Sequence, residues 1–233
     1  MNLESSHLDA PSLAVRARAE LELRRRARLK QVSDLASASE DHYGDWLKKI
    51  SPALQWDLHF QKYIREKLAQ VIAGDEPRTI FNLPPQHGKS NLITIRLPVY
   101  LLELNPAFRI GVAAYSQFLA NKFSRSARRL ARGRVALASD RAAVEEWETL
   151  EGGVFRAVGR GGGISGQPFD IFIIDDLVKG RKEANSDAVA TEIKEWYAEE
   201  VYPRAKIIIY VGTRWGGLAD PVNYWLDEKK KTR

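Results

Sequence analysis

Short apolar runs alternate along this chain with longer segments whose apolar residues recur at helical spacing. The runs that read as strands are Thr79-Ile80-Phe81-Asn82-Leu83, Arg109-Ile110-Gly111-Val112-Ala113-Ala114-Tyr115, residues 154–158, Asp170-Ile171-Phe172-Ile173-Ile174 and Lys206-Ile207-Ile208-Ile209-Tyr210-Val211. Unbroken apolar runs of this kind suit strands covered on both faces of a parallel sheet. The segments between them read as helices: an apolar one over residues 90–104, where Pro98 predicts a kink or early break, a basic one with Lys122, Arg125, Arg128, Arg129 and Arg132, and a polar one over residues 186–200. Strands alternating with helices predict an α/β fold, with a mainly parallel central sheet flanked by helices. The sequence shows no internal repeat.

The first part of the chain follows a different pattern. Residues 1–11 are polar and expected to fray. Residues 12–38 are helix-forming and strongly basic, with Arg16, Arg18, Arg24, Arg25, Arg26, Arg28 and Lys30 beside a thin apolar stripe of Leu13, Leu21, Leu29, Val32 and Leu35. This basic N-terminal helical arm reads either as a DNA-binding element or as a solvated helix that docks on a partner subunit. The predicted organisation is an arm over residues 1–44, one domain over 45–226 and a charged tail over 227–233.

Chemistry concentrates after the first strand. Pro84-Pro85-Gln86-His87-Gly88-Lys89-Ser90 leads from that strand into a helix. Backbone N–H groups of such a turn point at phosphates, Lys89 adds charge, and the Ser90 hydroxyl can ligate Mg²⁺. The full phosphate-loop pattern has a further glycine at position 83, where this chain has Leu83. A second motif raises the weight of the first: the run ending at Ile174 closes with Asp175 and Asp176. Acids at the C-terminal end of a central strand emerge where α/β sheets bind ligands. There Asp175 is placed to hold Mg²⁺, and Asp176 to orient or deprotonate the attacking water. Gly212-Thr213-Arg214-Trp215 follows the last strand, and its Thr-Arg pair can reach a γ-phosphate. Gly161-Gly162-Gly163-Ile164-Ser165-Gly166 satisfies the dinucleotide fingerprint, but it precedes a strand instead of following one. It reads either as a flexible loop beside the nucleotide site or as a plain connection.

Composition narrows the classes. At 233 residues one nucleotide-binding domain can account for nearly all of the chain. Without cysteine, disulfides and cysteine-ligated metals are excluded. No apolar run approaches a membrane span, and the start lacks a signal-peptide pattern, so a soluble intracellular protein is expected. A net charge of +6 permits a polyanionic partner.

Taken in order, these stretches resemble the ATPase domain of the large terminase subunit of tailed phages. The resemblance is carried by residues 82–90, by Ala113-Ala114-Tyr115-Ser116, by residues 157–166, by Ile173-Ile174-Asp175-Asp176-Leu177-Val178-Lys179 and by Thr213-Arg214-Trp215. It implies a P-loop NTPase of ASCE type in which a ring of subunits couples ATP hydrolysis to packaging of double-stranded DNA into a procapsid. It also implies ATP and Mg²⁺ as cofactors, portal protein and small terminase subunit as partners, and the host-cell cytoplasm as location. The nucleotide-binding set is then Gln61, Pro85, Gln86, His87, Gly88, Lys89 and Ser90, with Gln61 the base-reading residue near the adenine. Ser90 and Asp175 are the metal ligands. The catalytic set is Lys89, Asp176 and Arg214, with Arg214 relaying phosphate release.

The chain departs from the family where an arginine often precedes Gly-Lys-Ser; Pro85, Gln86 and His87 stand there instead. A stabilising arginine then has to come from Arg125, Arg128, Arg129, Arg160 or Arg214. The nuclease domain of full terminases is absent from these residues, so no nuclease activity is expected. A non-catalytic DNA-binding or assembly module and a helicase-like ATPase are the alternative readings.

Overall fold

The computed structural model describes residues 13–37, 40–217, 219–223 and 225. The expected frayed start and charged tail lie outside these residues. Three helices come first: α1 (Leu13–Ala36), α2 (His42–Ile50) and α3 (His59–Ala73). Strand β1 (Arg78–Asn82) leads through the phosphate loop into a π-helical stretch, Ser90–Arg96, that runs directly into α4 (Leu97–Leu104). Then follow β2 (Arg109–Ala114), α5 (Gln117–Ala131), β3 (Leu137–Ala142), β4 (Glu146–Thr149), β5 (Val154–Gly159) and β6 (Phe169–Asp175). The chain continues through α6 (Arg181–Ala184), α7 (Asp187–Trp196), a π-helical turn Tyr197–Val201, and β7 (Ala205–Gly212).

The strands form one seven-stranded sheet in the order β1-β7-β6-β2-β5-β4-β3. Pairing is parallel from β1 through β5 and antiparallel for β5–β4 and β4–β3. The sheet is thus mixed and mostly parallel, as expected. The β3–β4 hairpin is an element the apolar pattern did not predict. Its outer strand carries Ser139, Asp140 and Arg141, so it lacks an apolar run, and charges on such an edge discourage further pairing.

Alternation along the central strands separates two cores. Ile110, Val112, Ile171, Ile173, Ile207 and Ile209 join the core under α2 to α5, while Ala113, Phe172, Ile174, Ile208 and Tyr210 join the one under α7. Both faces are covered, which is why these strands read as continuous apolar runs. Pro98 sits in the first turn of α4, where its missing N–H is tolerated, so the expected break is a switch from π- to α-helix.

Helix α1 packs on its own chain. Val32 is fully buried and Leu29 lies against the core, whereas Leu21 and Leu35 are exposed, so the five-residue stripe narrows to its middle. Arg28 forks onto Asp170 with bonds of 2.9 and 2.8 Å, and Arg25 lies 3.7 Å from the same carboxylate. Arg25 also donates to the carbonyls of Arg204 (2.8 Å) and Phe169. The basic helix is clamped across the N-terminal ends of β6 and β7.

Candidate nucleotide site

Parallel register delivers the chemistry to one edge. Asn82 pairs with Gly212, and Asp175 pairs with Val211 on one side and Ala114 on the other, so β1, β7, β6 and β2 end together. β7 lies between the phosphate-loop strand and the acid strand. Leu83 still donates to the Gly212 carbonyl at 3.0 Å, which keeps the loop's first residue on the sheet. The loop then turns through Gln86 (φ 64) and Gly88 (φ 72), both left-handed. Glycine adopts this freely; glutamine does so only when its surroundings hold it there. Leu92 donates to the Gly88 carbonyl at 2.9 Å and opens the helix.

Lys89 turns inward and is only 8 % exposed. Its Nζ donates to Thr213 Oγ1 at 2.6 Å and lies 2.9 Å from Asp176 Oδ2. Asp176 is held on every side. Its N–H donates to Val211 O (2.9 Å), its carbonyl accepts from Tyr115 N–H (3.0 Å), and its Oδ1 accepts from Thr213 N–H (2.8 Å). These contacts fix a non-glycine residue at φ 47, the kind of backbone strain that collects at functional sites.

Asp175 lies deeper, 1 % exposed, and accepts hydrogen bonds from the hydroxyls of Thr94 and Ser90. Burial pushes its pKa up from 3.8 to about 6; the two hydroxyls and Lys89 pull it down and the Asp176 charge adds to the rise. A desolvated carboxylate without a cation bonded to it is a natural partner for an incoming one. The hard oxygen donors Ser90 and Asp175 fit Mg²⁺, which is commonly bound through one or two carboxylates plus substrate phosphates.

The remaining expected residues divide. Pro85 and His87 shape the loop: His87 Nδ1 lies 2.9 Å from the Pro85 carbonyl, and its ring meets Phe60 edge-on at 5.8 Å between centroids. That contact sets the start of α3 against the loop. Gln61 is buried there. Its Oε1 accepts from Leu58 N–H (3.2 Å) and its Nε2 donates to Gln55 O (3.1 Å), so the amide organises the preceding loop. Trp56, in that loop, lies under the Arg96 guanidinium at 5.0 Å, which ties it to the helix after the phosphate loop.

Arg214 is not brought to Lys89. It donates to Asn223 Oδ1 at 2.5 Å and lies 3.5 Å from the buried carboxylate of Asp220. Of the expected Thr-Arg pair it is Thr213 that enters the site, joined by Thr94, which the sequence pattern did not mark. The position of Thr213 after a strand was a usable signal. Thr94 gave none, since a threonine in an apolar helix looks like filler. Among the arginine candidates, Arg128 donates to Ala142 O (2.5 Å), and Arg160 binds Leu177 O (2.8 Å) and Glu183 (2.9 Å), whereas Arg125 and Arg129 are exposed. The glycine-rich loop is anchored: Trp196 donates to Gly162 O at 2.9 Å, and Ile164 N–H to Glu200 at 3.1 Å.

A glycine-turned phosphate loop facing a paired-acid strand across one intervening strand defines a P-loop NTPase fold. The match to known proteins is more specific. The family described as terminase large subunit, T4likevirus-type, N-terminal, matches residues 80–211, and the chain belongs to it. Its ATPase-domain fold is shared with the HK97 bacteriophage large terminase, at 17% identity and a TM-score of 0.51 over 77% of this chain and 37% of that one. The ATPase domain of the Thermus phage P74-26 large terminase is also similar, at 16% identity and a TM-score of 0.40 over 58% of this chain and 59% of that one. The chain thus spans well under half of the HK97 protein it matches. No curated protein sequence matches it. No helix among the described residues is long and apolar enough to cross a membrane.

Proposed function

We propose that this chain binds and hydrolyses ATP at the Lys89–Asp175–Asp176 site, and that hydrolysis drives translocation of double-stranded DNA during phage genome packaging. The observation that carries the reading is the three-way contact of Lys89 with Asp176 and Thr213, each delivered by a different strand end. A γ-phosphate competes with both partners for the lysine. Once Lys89 turns to the phosphates, Asp176 is freed to orient and deprotonate water, and Thr213 loses the lysine and can report the change along β7. The loop amides up to Ser90 cradle the phosphates. Mg²⁺, held by Ser90 and Asp175, would neutralise charge on the phosphate oxygens. Gln61 orders the loop that borders the base, and Arg214 acts outside the chemistry, through Asp220 and Asn223. By family, the working form is a homo-oligomeric ring with portal protein and small terminase subunit as partners.

Steady-state ATP hydrolysis with and without duplex DNA tests this against Lys89→Ala and Asp176→Ala. Loss of a water-orienting base is expected to cost ~10²–10⁴-fold in rate, and stimulation by DNA supports the motor. Equal rates in parent and variants would sink the site. The ion pair that ties Lys89 to Asp176 also favours a second reading, a non-catalytic assembly or DNA-binding module, which predicts DNA or portal binding without turnover.

A further inference from the structure

Helix α5 has a strongly basic outer face. Phe118, Lys122, Arg125, Arg129 and the C-cap residue Arg132 follow one another at intervals of four, three, four and three residues. At about 100° per residue they fall within a sector of roughly 80°, and Lys122 to Arg132 spans about 15 Å. All five are exposed, and the helix contains no acidic residue. Among the described residues, none of the four cations has an ion-pair or hydrogen-bond partner; Lys122 lies 4.8 Å over the Phe118 ring. By contrast, Arg24, Arg26, Arg141, Arg156 and Arg204 all meet carboxylates. The opposite face of α5 buries Ala120, Phe123, Ser124, Ala127 and Ala131, so the helix cannot roll to hide the charges.

We infer that this stripe is the surface on which the domain holds the phosphate backbone of a DNA duplex; the inference rests on the packaging reading above and assigns its contact face. A rigid row of cations about 15 Å long runs past about four phosphates of one strand, which are spaced 3.4 Å along the duplex axis. A single-strand groove would need several aromatic platforms, and this face has one. The stripe also connects to the nucleotide site. Ser116 caps α5 by accepting from Leu119 N–H, and the residue before it, Tyr115, donates its N–H to the Asp176 carbonyl at 3.0 Å. A pull on α5 therefore acts on the backbone of the second acid.

The test measures affinity of the whole chain for a random-sequence duplex across a salt series, by fluorescence anisotropy. Arg125→Ala and Arg129→Ala are each expected to weaken binding and to flatten the log–log salt slope by about 0.9. Arg24→Ala, which removes an exposed cation on α1, is expected to leave the slope unchanged, and all three variants should keep the parent's unfolding midpoint and nucleotide affinity. An unchanged slope in the α5 variants, or no duplex binding by the parent, overturns the inference. So does an Arg125→Glu/Arg129→Glu variant that sediments differently while holding DNA as the parent does, because the stripe would then be a contact between copies. A flattened slope with no ATP turnover in the parent would instead keep the surface and discard the ATPase reading.

Discussion

Strand β6 carries a buried aspartate at each end, and the two have opposite surroundings. Asp170, fully buried, is met by the guanidinium of Arg28 in a two-bond fork, by Arg25 and by the Arg109 N–H at 2.9 Å. Asp175, five residues on and 1 % exposed, is met by two hydroxyls. At the first end the charge is compensated and the strand is locked to α1. At the second the charge is left without a bonded cation, with Lys89 turned to Asp176 instead. The same side chain on the same strand is structural where its counter-charges are built in, and available for chemistry where they are withheld.

The largest expected effect comes from breaking the compensated end. Asp170→Asn leaves two arginines facing a neutral amide, at a cost of roughly 3–5 kcal/mol, read as a lower denaturant midpoint. Nucleotide affinity of the folded fraction should stay at the parent level. A midpoint unchanged from the parent would mean that the clamp of α1 contributes nothing.

At the other end, removing the charge should help the fold. The folded pKa of Asp175, about 6, lies above its ordinary 3.8. The folded chain therefore holds the extra proton, and the contribution of this carboxyl to stability is fully present below about pH 4 and lost as pH rises through about 6. That loss is on the order of 2–3 kcal/mol. In chelator, Asp175→Asn should be more stable than the parent at pH 8, with the gap closing towards pH 4, while turnover collapses. A variant less stable than the parent at pH 8 would show that Asp175 is compensated after all.

The smallest effect sharpens what the hydroxyls do. Thr94→Val keeps the shape and removes one donor to Asp175, at about 1–2 kcal/mol. If Thr94 aims the carboxylate, the tightening of nucleotide binding by Mg²⁺ should fall about tenfold and return in Thr94→Ser. Equal loss in chelator and in Mg²⁺ would make Thr94 a packing residue only.

The sequence made β6 readable at both ends, yet not their difference. Four apolar residues between aspartates mark a doubly covered strand, and the acids after Ile174 fall where ligands bind. Nothing in that run says that Arg28, 142 residues earlier, will meet the first acid, or that Thr94, 81 residues earlier, will meet the second. The Thr-Arg pair shows the same limit at a single bond. Which of two neighbours enters the site depends on the direction each side chain takes as the strand ends, and here it is Thr213, with Arg214 drawn to Asp220. The β3–β4 hairpin escaped because its outer strand is exposed and charged.

Local order in the chain by itself determined the strand–helix alternation, the phosphate loop and the acid pair, because each is a run of neighbours whose burial or turn geometry is set by residue type. The tertiary structure alone decided which charges are paired, that Lys89 rests on Asp176 and Thr213, and that α1 is clamped while the outer face of α5 is left bare. Those outcomes depend on which distant segments the sheet order brings within hydrogen-bonding distance, and pairing at that distance is what separates a compensated charge from an uncompensated one.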